Sequence, residues 1–216
     1  MFKTKICGVT NVADARLVRD IGADAIGLNF YPQSPRYVER ATAQEIVNSL
    51  GDRIVKVGLF VNASAEEVID TYDRLGLDLI QLHGDEPPEF LFELGDRPVM
   101  RAFRVGSEGL DPVVNYLSRC RETNCLPVMV LLDAFQKDAY GGTGKTADWS
   151  ALANRGDRLG DIPVVLAGGL TRENVAEAID QVHPAAVDTA SGVESAPGKK
   201  DPELVRQFVA AAKAAL

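Results

Sequence analysis

Val128-Met129-Val130-Leu131-Leu132-Asp133 is a run of five apolar residues closed by a carboxylate. A strand with one wet face alternates apolar and polar side chains, whereas a strand covered on both faces is apolar at nearly every position. The run therefore predicts a strand buried on both sides, with Asp133 where the chain leaves the core. Similar short runs occupy residues 2–7, 25–30, 54–61, 79–83, 99–103, 164–167 and 186–188. Between them lie segments of helical period at 12–21, 43–50, 65–75, 88–94, 112–123, 173–182 and 202–216. A weaker one at 148–154 breaks up at Arg155-Gly156-Asp157. Asn11, Thr42, Ser64, Asp111, Thr171 and Asp201 stand where helix N-caps are expected, and Gly22, Gly51, Gly76 and Gly95 where helices stop.

Strict alternation of strand and helix means a parallel sheet. Eight units in 216 residues, about 27 residues each, are close to a minimal βαβ repeat. Eight repeats favour closure into an α/β, single-domain (β/α)8 barrel over residues 1–216, and no Pro/Ser-rich linker divides the chain. An open doubly wound sheet would want Gly-x-Gly-x-x-Gly after the first strand, which here runs into Cys7-Gly8-Val9-Thr10.

Composition narrows the function. Lys and Arg number 23 against 31 Asp and Glu, a net charge of −8, which argues against tracking nucleic acid or an anionic membrane. It leaves room for one local anion site built from backbone amides. No apolar run approaches the ~18 residues of a spanning helix, and the first residues predict no secretory leader. Three scattered cysteines, Cys7, Cys120 and Cys125, make no disulfide framework, so a reducing cytoplasm is expected. Cysteine and histidine spacing predicts no metal site.

In a (β/α)8 barrel the chemistry sits at the carboxyl ends of the strands. Cys7 ends the first strand and Asp133 the sixth, so a closed barrel turns both toward one mouth. A thiol opposite an acid suits proton transfer, one group taking and the other giving; position alone also leaves Cys7 open to being a small buried hydrophobe, the commoner role of a lone cysteine, and Asp133 to capping a helix. Arg36, in the two-proline loop after the second strand, has the planar fork that suits a carboxylate or phosphate, or a surface ion pair. Arg101 reads as a core charge or as a partner for a carboxylate at the mouth, His83 as structural, and Trp149 as core. Glycine recurs after strands six, seven and eight, at Gly142-Thr143-Gly144, Gly168-Gly169 and Ser191-Gly192. Backbone amides there can approach an anion, and the last two loops are where barrel enzymes commonly hold a phosphate.

The whole chain resembles the phosphoribosylanthranilate isomerase family of tryptophan biosynthesis. The resemblance is carried by Lys5-Ile6-Cys7-Gly8-Val9-Thr10, Ser34-Pro35-Arg36-Tyr37-Val38, Val57-Gly58-Leu59-Phe60-Val61 and Gln81-Leu82-His83-Gly84-Asp85-Glu86. It continues through Leu131-Leu132-Asp133, Gly141-Gly142-Thr143-Gly144 with Asp148-Trp149, Leu166-Ala167-Gly168-Gly169-Leu170 and Ser191-Gly192-Val193-Glu194, in order from end to end. The resemblance implies a cofactor-free Amadori rearrangement of a small-molecule substrate, N-(5-phosphoribosyl)anthranilate, with Cys7 as general base and Asp133 as general acid. It implies that Arg36 binds the anthranilate carboxylate and that the three glycine loops hold the phosphate. Asp188 is a candidate for ribose contact. Two departures stand out: Ala190 replaces a hydroxyl residue usual before Ser-Gly, and Ala147 stands where an aromatic often precedes Asp-Trp. The related histidine-pathway sugar isomerase ends its first strand in aspartate, so Cys7 argues against it; pentose-phosphate epimerases want metal-ligand histidines. A catalytically silent phosphate-binding barrel would bind a substrate analogue without turnover.

Overall fold

The computed structural model describes residues 2–106, 108–134 and 149–216. Eight strands and their helices alternate as β1 Thr4–Cys7, α1 Val12–Ile21, β2 Ala25–Asn29, α2 Arg40–Leu50, β3 Val55–Phe60, α3 Ala65–Leu75, β4 Leu79–Leu82 and α4 Phe90–Glu93. They continue as β5 Val99–Arg104, α5 Asp111–Glu122, β6 Met129–Asp133, α6 Ser150–Ala153, β7 Val164–Ala167, α7 Val175–Val182 and β8 Ala186–Thr189. A 3-10 turn at Ser191–Val193 leads into a hairpin, β9 Glu194–Ala196 with β10 Lys199–Lys200, before α8 Pro202–Ala215. The strands β1 to β8 are parallel, each beside its sequence neighbour, and β8 pairs with β1 to close the barrel.

Closure sorts the apolar residues into two cores, because alternate side chains on a strand point to opposite faces. Ala25, Val57, Leu79, Met100, Leu131 and Val165 pack inside the barrel, with Phe2 among them. Ile6, Ile26, Leu28, Ile80, Leu132 and Leu166 face outward against the helices. The double burial expected from the run at 128–133 follows from this: Met129 and Leu131 fill the interior, while Val130 and Leu132 sit under helices.

Asn11, Ser64 and Asp201 cap α1, α3 and α8 with their side chains. Three expected caps do not. Helix α2 starts earlier, at Arg40, so Thr42 lies inside it. Asp111 is the first residue of α5, after Leu110. Helix α7 starts after Asn174, whose side chain turns back to accept from the Thr171 amide at 2.8 Å. The break expected at 155–157 is a 3-10 turn, Gly156–Leu159.

Candidate active site

At the carboxyl ends of the strands opens a cavity of about 1140 Å³, lined by Cys7, Arg36, His83, Asp133, Gly168, Gly169, Asp188 and Ser191 together with their neighbours. Seven residues read from the sequence as catalytic or binding candidates, Cys7, Arg36, Asp133, Gly168, Gly169, Asp188 and Ser191, thus meet in one space. Gly142, Thr143 and Gly144, with Ala147, lie outside the described residues. Gly192 sits under Ser191, so close to the next loop that a Cβ would fall 2.0 Å from the Leu170 carbonyl oxygen. Thr189 Oγ1 donates to the same carbonyl at 2.7 Å, joining the loops after β7 and β8 into one edge. Gly168 and Gly169 turn that edge with φ of 97° and 64°, backbone that glycine adopts without strain.

The Cys7 thiol is buried, 6% exposed, on the interior face of β1. Period two places Lys5 on the same face one layer deeper, and Lys5 is among the largest fully buried side chains of the described residues. Register sets Lys5 beside Asp188 and Cys7 beside Gly27. Lys5 Nζ donates to Asp188 Oδ1 at 2.9 Å. Burial pushes the Cys7 thiol above its ordinary value, while the Lys5 ammonium pulls it down. Burial alone would lower the Lys5 pKa, but the Asp188 carboxylate and Cys7 reverse the sign and hold the ammonium charged. Sequence reasoning misses this lysine; a charge inside an otherwise covered strand, two residues before the cysteine, is the signal that marks it.

Arg36 reaches the mouth from the loop after β2, its stem over Gly8, where φ is 72° and a Cβ would lie 2.4 Å from Arg36 Cδ. Its guanidinium forks onto Glu194, Nε to Oε1 at 2.9 Å and Nη2 to Oε2 at 2.6 Å. Glu194 also accepts from Lys200 Nζ at 2.8 Å and the Gly198 amide at 3.2 Å. Lys200 Nζ donates in turn to the Cys7 carbonyl at 2.6 Å, bracing the end of β1. Burial works to raise the Glu194 pKa, but Arg36 and Lys200 overcome it and hold the carboxyl below its ordinary value. The β9–β10 hairpin that supplies Lys200 was not expected from the sequence; each strand is too short to show a period.

Asp133 closes β6 on the opposite wall, its Oδ2 3.9 Å from His83 Nε2. Burial, reinforced by Lys5, Arg104 and Arg101, drops the imidazole pKa to about 4, so His83 is neutral at physiological pH. Gln81 Nε2 lies 3.1 Å from Nδ1. With Nδ1 as acceptor, the ring presents Nε2–H toward Asp133. His83 therefore belongs to the site wall rather than to the scaffold alone. Arg101 is the carboxylate partner its position allowed: it pairs with buried Glu86 at 3.6 Å, donates to the Gly84 carbonyl at 2.8 Å, and lies over the Phe103 and Tyr116 rings. Trp149 is buried in the core.

Chemically, the mouth offers a thiol and a carboxyl on opposite strands and an oriented guanidinium at the rim. A glycine-turned edge lies between β7 and β8. Among the described residues, no group of three or more His, Cys, Asp and Glu side chains is placed to hold a metal ion.

Residues 4–211 match the model of the N-(5′-phosphoribosyl)anthranilate (PRA) isomerase family. The chain is 47% identical over 220 residues to N-(5′-phosphoribosyl)anthranilate isomerase from Trichlorobacter lovleyi, covering both chains in full. Its fold superposes on the crystal structure of phosphoribosyl anthranilate isomerase from Thermotoga maritima with a TM-score of 0.87 at 40% identity, covering 99% of this chain and 100% of that one. A phosphoribosyl anthranilate isomerase crystallised with reduced 1-(o-carboxyphenylamino)-1-deoxyribulose 5-phosphate gives 0.84 at 38% identity, covering 99% and 100%. The chain belongs to the N-(5′-phosphoribosyl)anthranilate isomerase family.

Proposed function

We propose that this chain catalyses the Amadori rearrangement of N-(5-phosphoribosyl)anthranilate to 1-(2-carboxyphenylamino)-1-deoxyribulose 5-phosphate, the isomerisation of tryptophan biosynthesis, with the barrel of residues 1–216 as one catalytic unit in the cytoplasm. Among the described residues no helix is long and apolar enough to cross a membrane. The observation that carries the reading is the opposition of Cys7 and Asp133 across one mouth in a chain of this family.

Asp133, protonated, gives its proton to the ribose ring oxygen, and the C1–O bond breaks to leave a protonated imine. That imine acidifies the C2–H bond. Cys7, as thiolate, takes the C2 proton, and the electron pair moves into C1=C2 to give a neutral enolamine, which tautomerises to the ketone. The substrate has gained one proton and lost one, so it leaves as an isomer. The enzyme is left with a thiol and a carboxylate, and proton exchange with water restores the starting pair. Arg36, oriented by Glu194, holds the anthranilate carboxylate. The edge formed by Gly168, Gly169, Ser191 and Gly192, with Gly142, Thr143 and Gly144, holds the phosphate through backbone amides. Asp188 is a weaker ribose contact, since its Oδ1 is taken by Lys5.

Turnover is followed as loss of the substrate's anthranilate fluorescence in wild type, Cys7→Ser and Asp133→Asn. Each variant is expected to lose about 10²–10⁴ in kcat, the usual worth of a positioned acid or base. Near-normal turnover in either one removes that residue's role.

A further inference from the structure

Lys5 is fully buried, and a buried ammonium is stable only when charge and hydrogen bonds compensate it. Asp188 Oδ1 supplies one partner at 2.9 Å. The side chain does not stop at its own rung of the barrel. Lys5 pairs in register with Ala25, whereas the space above Gly27, one rung nearer the mouth, is shared by Lys5 Nζ and Cys7 Sγ. A Cβ on Gly27 would lie 3.1 Å from Nζ and 2.6 Å from Sγ. The ammonium thus comes up beneath the thiol, and the bare glycine gives the two their room.

We propose that Lys5, pinned by Asp188, is the positioning residue that makes the Cys7 thiolate accessible. This rests on Cys7 being the base. Buried against apolar walls, a thiol stays protonated and inert. An adjacent fixed ammonium stabilises the thiolate, while Asp188 holds the lysine charged and aimed. Lys5 takes no proton from the substrate.

The other charged groups facing Cys7 are accounted for element by element. On β8, Asp188 opposes the thiolate. From β10, Lys200 favours it, but its head is occupied by the Cys7 carbonyl and by Glu194. In the loop after β2, Arg36 faces the thiol while forked onto Glu194. On the far wall His83 is neutral at physiological pH and sits by Asp133. Of the three cations, Lys5 exerts the largest pull on the thiol, and its Nζ shares the space over Gly27 with Sγ.

The test reads the thiol directly. The full-length protein is alkylated with iodoacetamide across a pH series, and modification at Cys7 is measured by peptide mass spectrometry in wild type, Lys5→Met and Asp133→Asn. Lys5→Met is expected to move the midpoint of Cys7 alkylation up by about one pH unit or more, a tenfold loss of thiolate below the midpoint. The acid limb of kcat moves with it and KM stays put. Asp133→Asn loses turnover and leaves the alkylation midpoint alone. If burying Asp188 without a partner prevents Lys5→Met from folding, the double variant Lys5→Met/Asp188→Asn removes both charges, and a smaller upward shift is still expected. An unchanged midpoint in a folded Lys5 variant overturns the proposal even if Cys7→Ser is dead. Activity surviving in Cys7→Ser instead overturns the base assignment itself.

Discussion

Glu194→Gln isolates how far Arg36 depends on its support. The carboxylate accepts both arms of the Arg36 fork, the Lys200 ammonium and the Gly198 amide. The Glu194 side chain is 3% exposed, Lys200 0% and Arg36 22%. Glutamine keeps the volume, but it removes the charge and turns one acceptor into an NH2 group facing cationic donors. Breaking a buried ion pair by removing one partner costs about 3–5 kcal/mol. The partial exposure of Arg36 allows it to recover water, so the low end, about 3 kcal/mol, is expected. For a chain of this size each kcal/mol lowers Tm by roughly 2–4 °C, giving a fall of about 6–12 °C by calorimetry. Function should fail selectively. A guanidinium released from its fork grips a substrate carboxylate less well, raising KM about tenfold, or ~1.4 kcal/mol, with kcat nearly unchanged. The acid response adds a signature. Because the folded Glu194 pKa is depressed, its contribution is present above the ordinary value of 4.5 and lost as pH falls through the folded value. The variant should lack that part of the acid loss. A Tm within 2 °C of wild type together with an unchanged KM would refute the idea that Glu194 orients Arg36.

Three further outcomes follow from the same geometry. Gly27→Ala drives a Cβ against Cys7 Sγ and Lys5 Nζ, and displacing the proposed base by about 1 Å should cost on the order of 10²-fold in kcat; a normal kcat would mean that neither group's position matters. Gly192→Ala sets a methyl against the Leu170 main-chain carbonyl, which no rotamer relieves, so about 1–3 kcal/mol of stability should go and inorganic phosphate should inhibit less well; unchanged inhibition would detach this edge from phosphate binding. His83 has a folded pKa near 4 against an ordinary 6.5, so between these values the unfolded chain binds the proton and the folded one does not. Stability should fall on acidification through that window by up to about 3 kcal/mol, and urea titrations of His83→Gln should show a flatter slope; parallel slopes would refute it.

The fold was legible because its signals are local and repeated. A doubly buried strand is apolar wherever it is covered, and Val128–Leu132 shows this without knowledge of its neighbours. Strand ends were legible for the same reason, since Cys7 and Asp133 are where those runs stop. Helix starts were less so. A cap is a hydrogen-bond geometry, and Thr42, Asp111 and Thr171 have the right chemistry one to three residues from where the chain turns. Least legible were the partners. Glu194 meets Arg36 from 158 positions away, and Lys200 reaches the Cys7 carbonyl across 193. No spacing rule reports contacts of that length; only closure of the barrel creates them.

Those long-range partners suggest how an acidic chain of net charge −8 could accommodate a ligand with two anionic groups, a phosphate and a carboxylate. Lys5 is paired with Asp188, and Arg36 and Lys200 share Glu194, so three cations face two supporting carboxylates. The pairing leaves a local surplus of one positive charge, far less than a basic patch. Its main effect is to fix where each cation points, so that little reorganisation remains when a ligand arrives. Had affinity depended on bulk charge, the 31 acidic residues would oppose it across the whole surface, and salt would screen whatever attraction remained. In the proposed reading, an oriented guanidinium and glycine amides act over hydrogen-bond distances, inside a cavity from which most of those acids are remote. Substrate KM should therefore change little between low and physiological salt. A KM that climbs steeply with ionic strength would mean that long-range attraction, rather than the fixed mouth, captures the substrate.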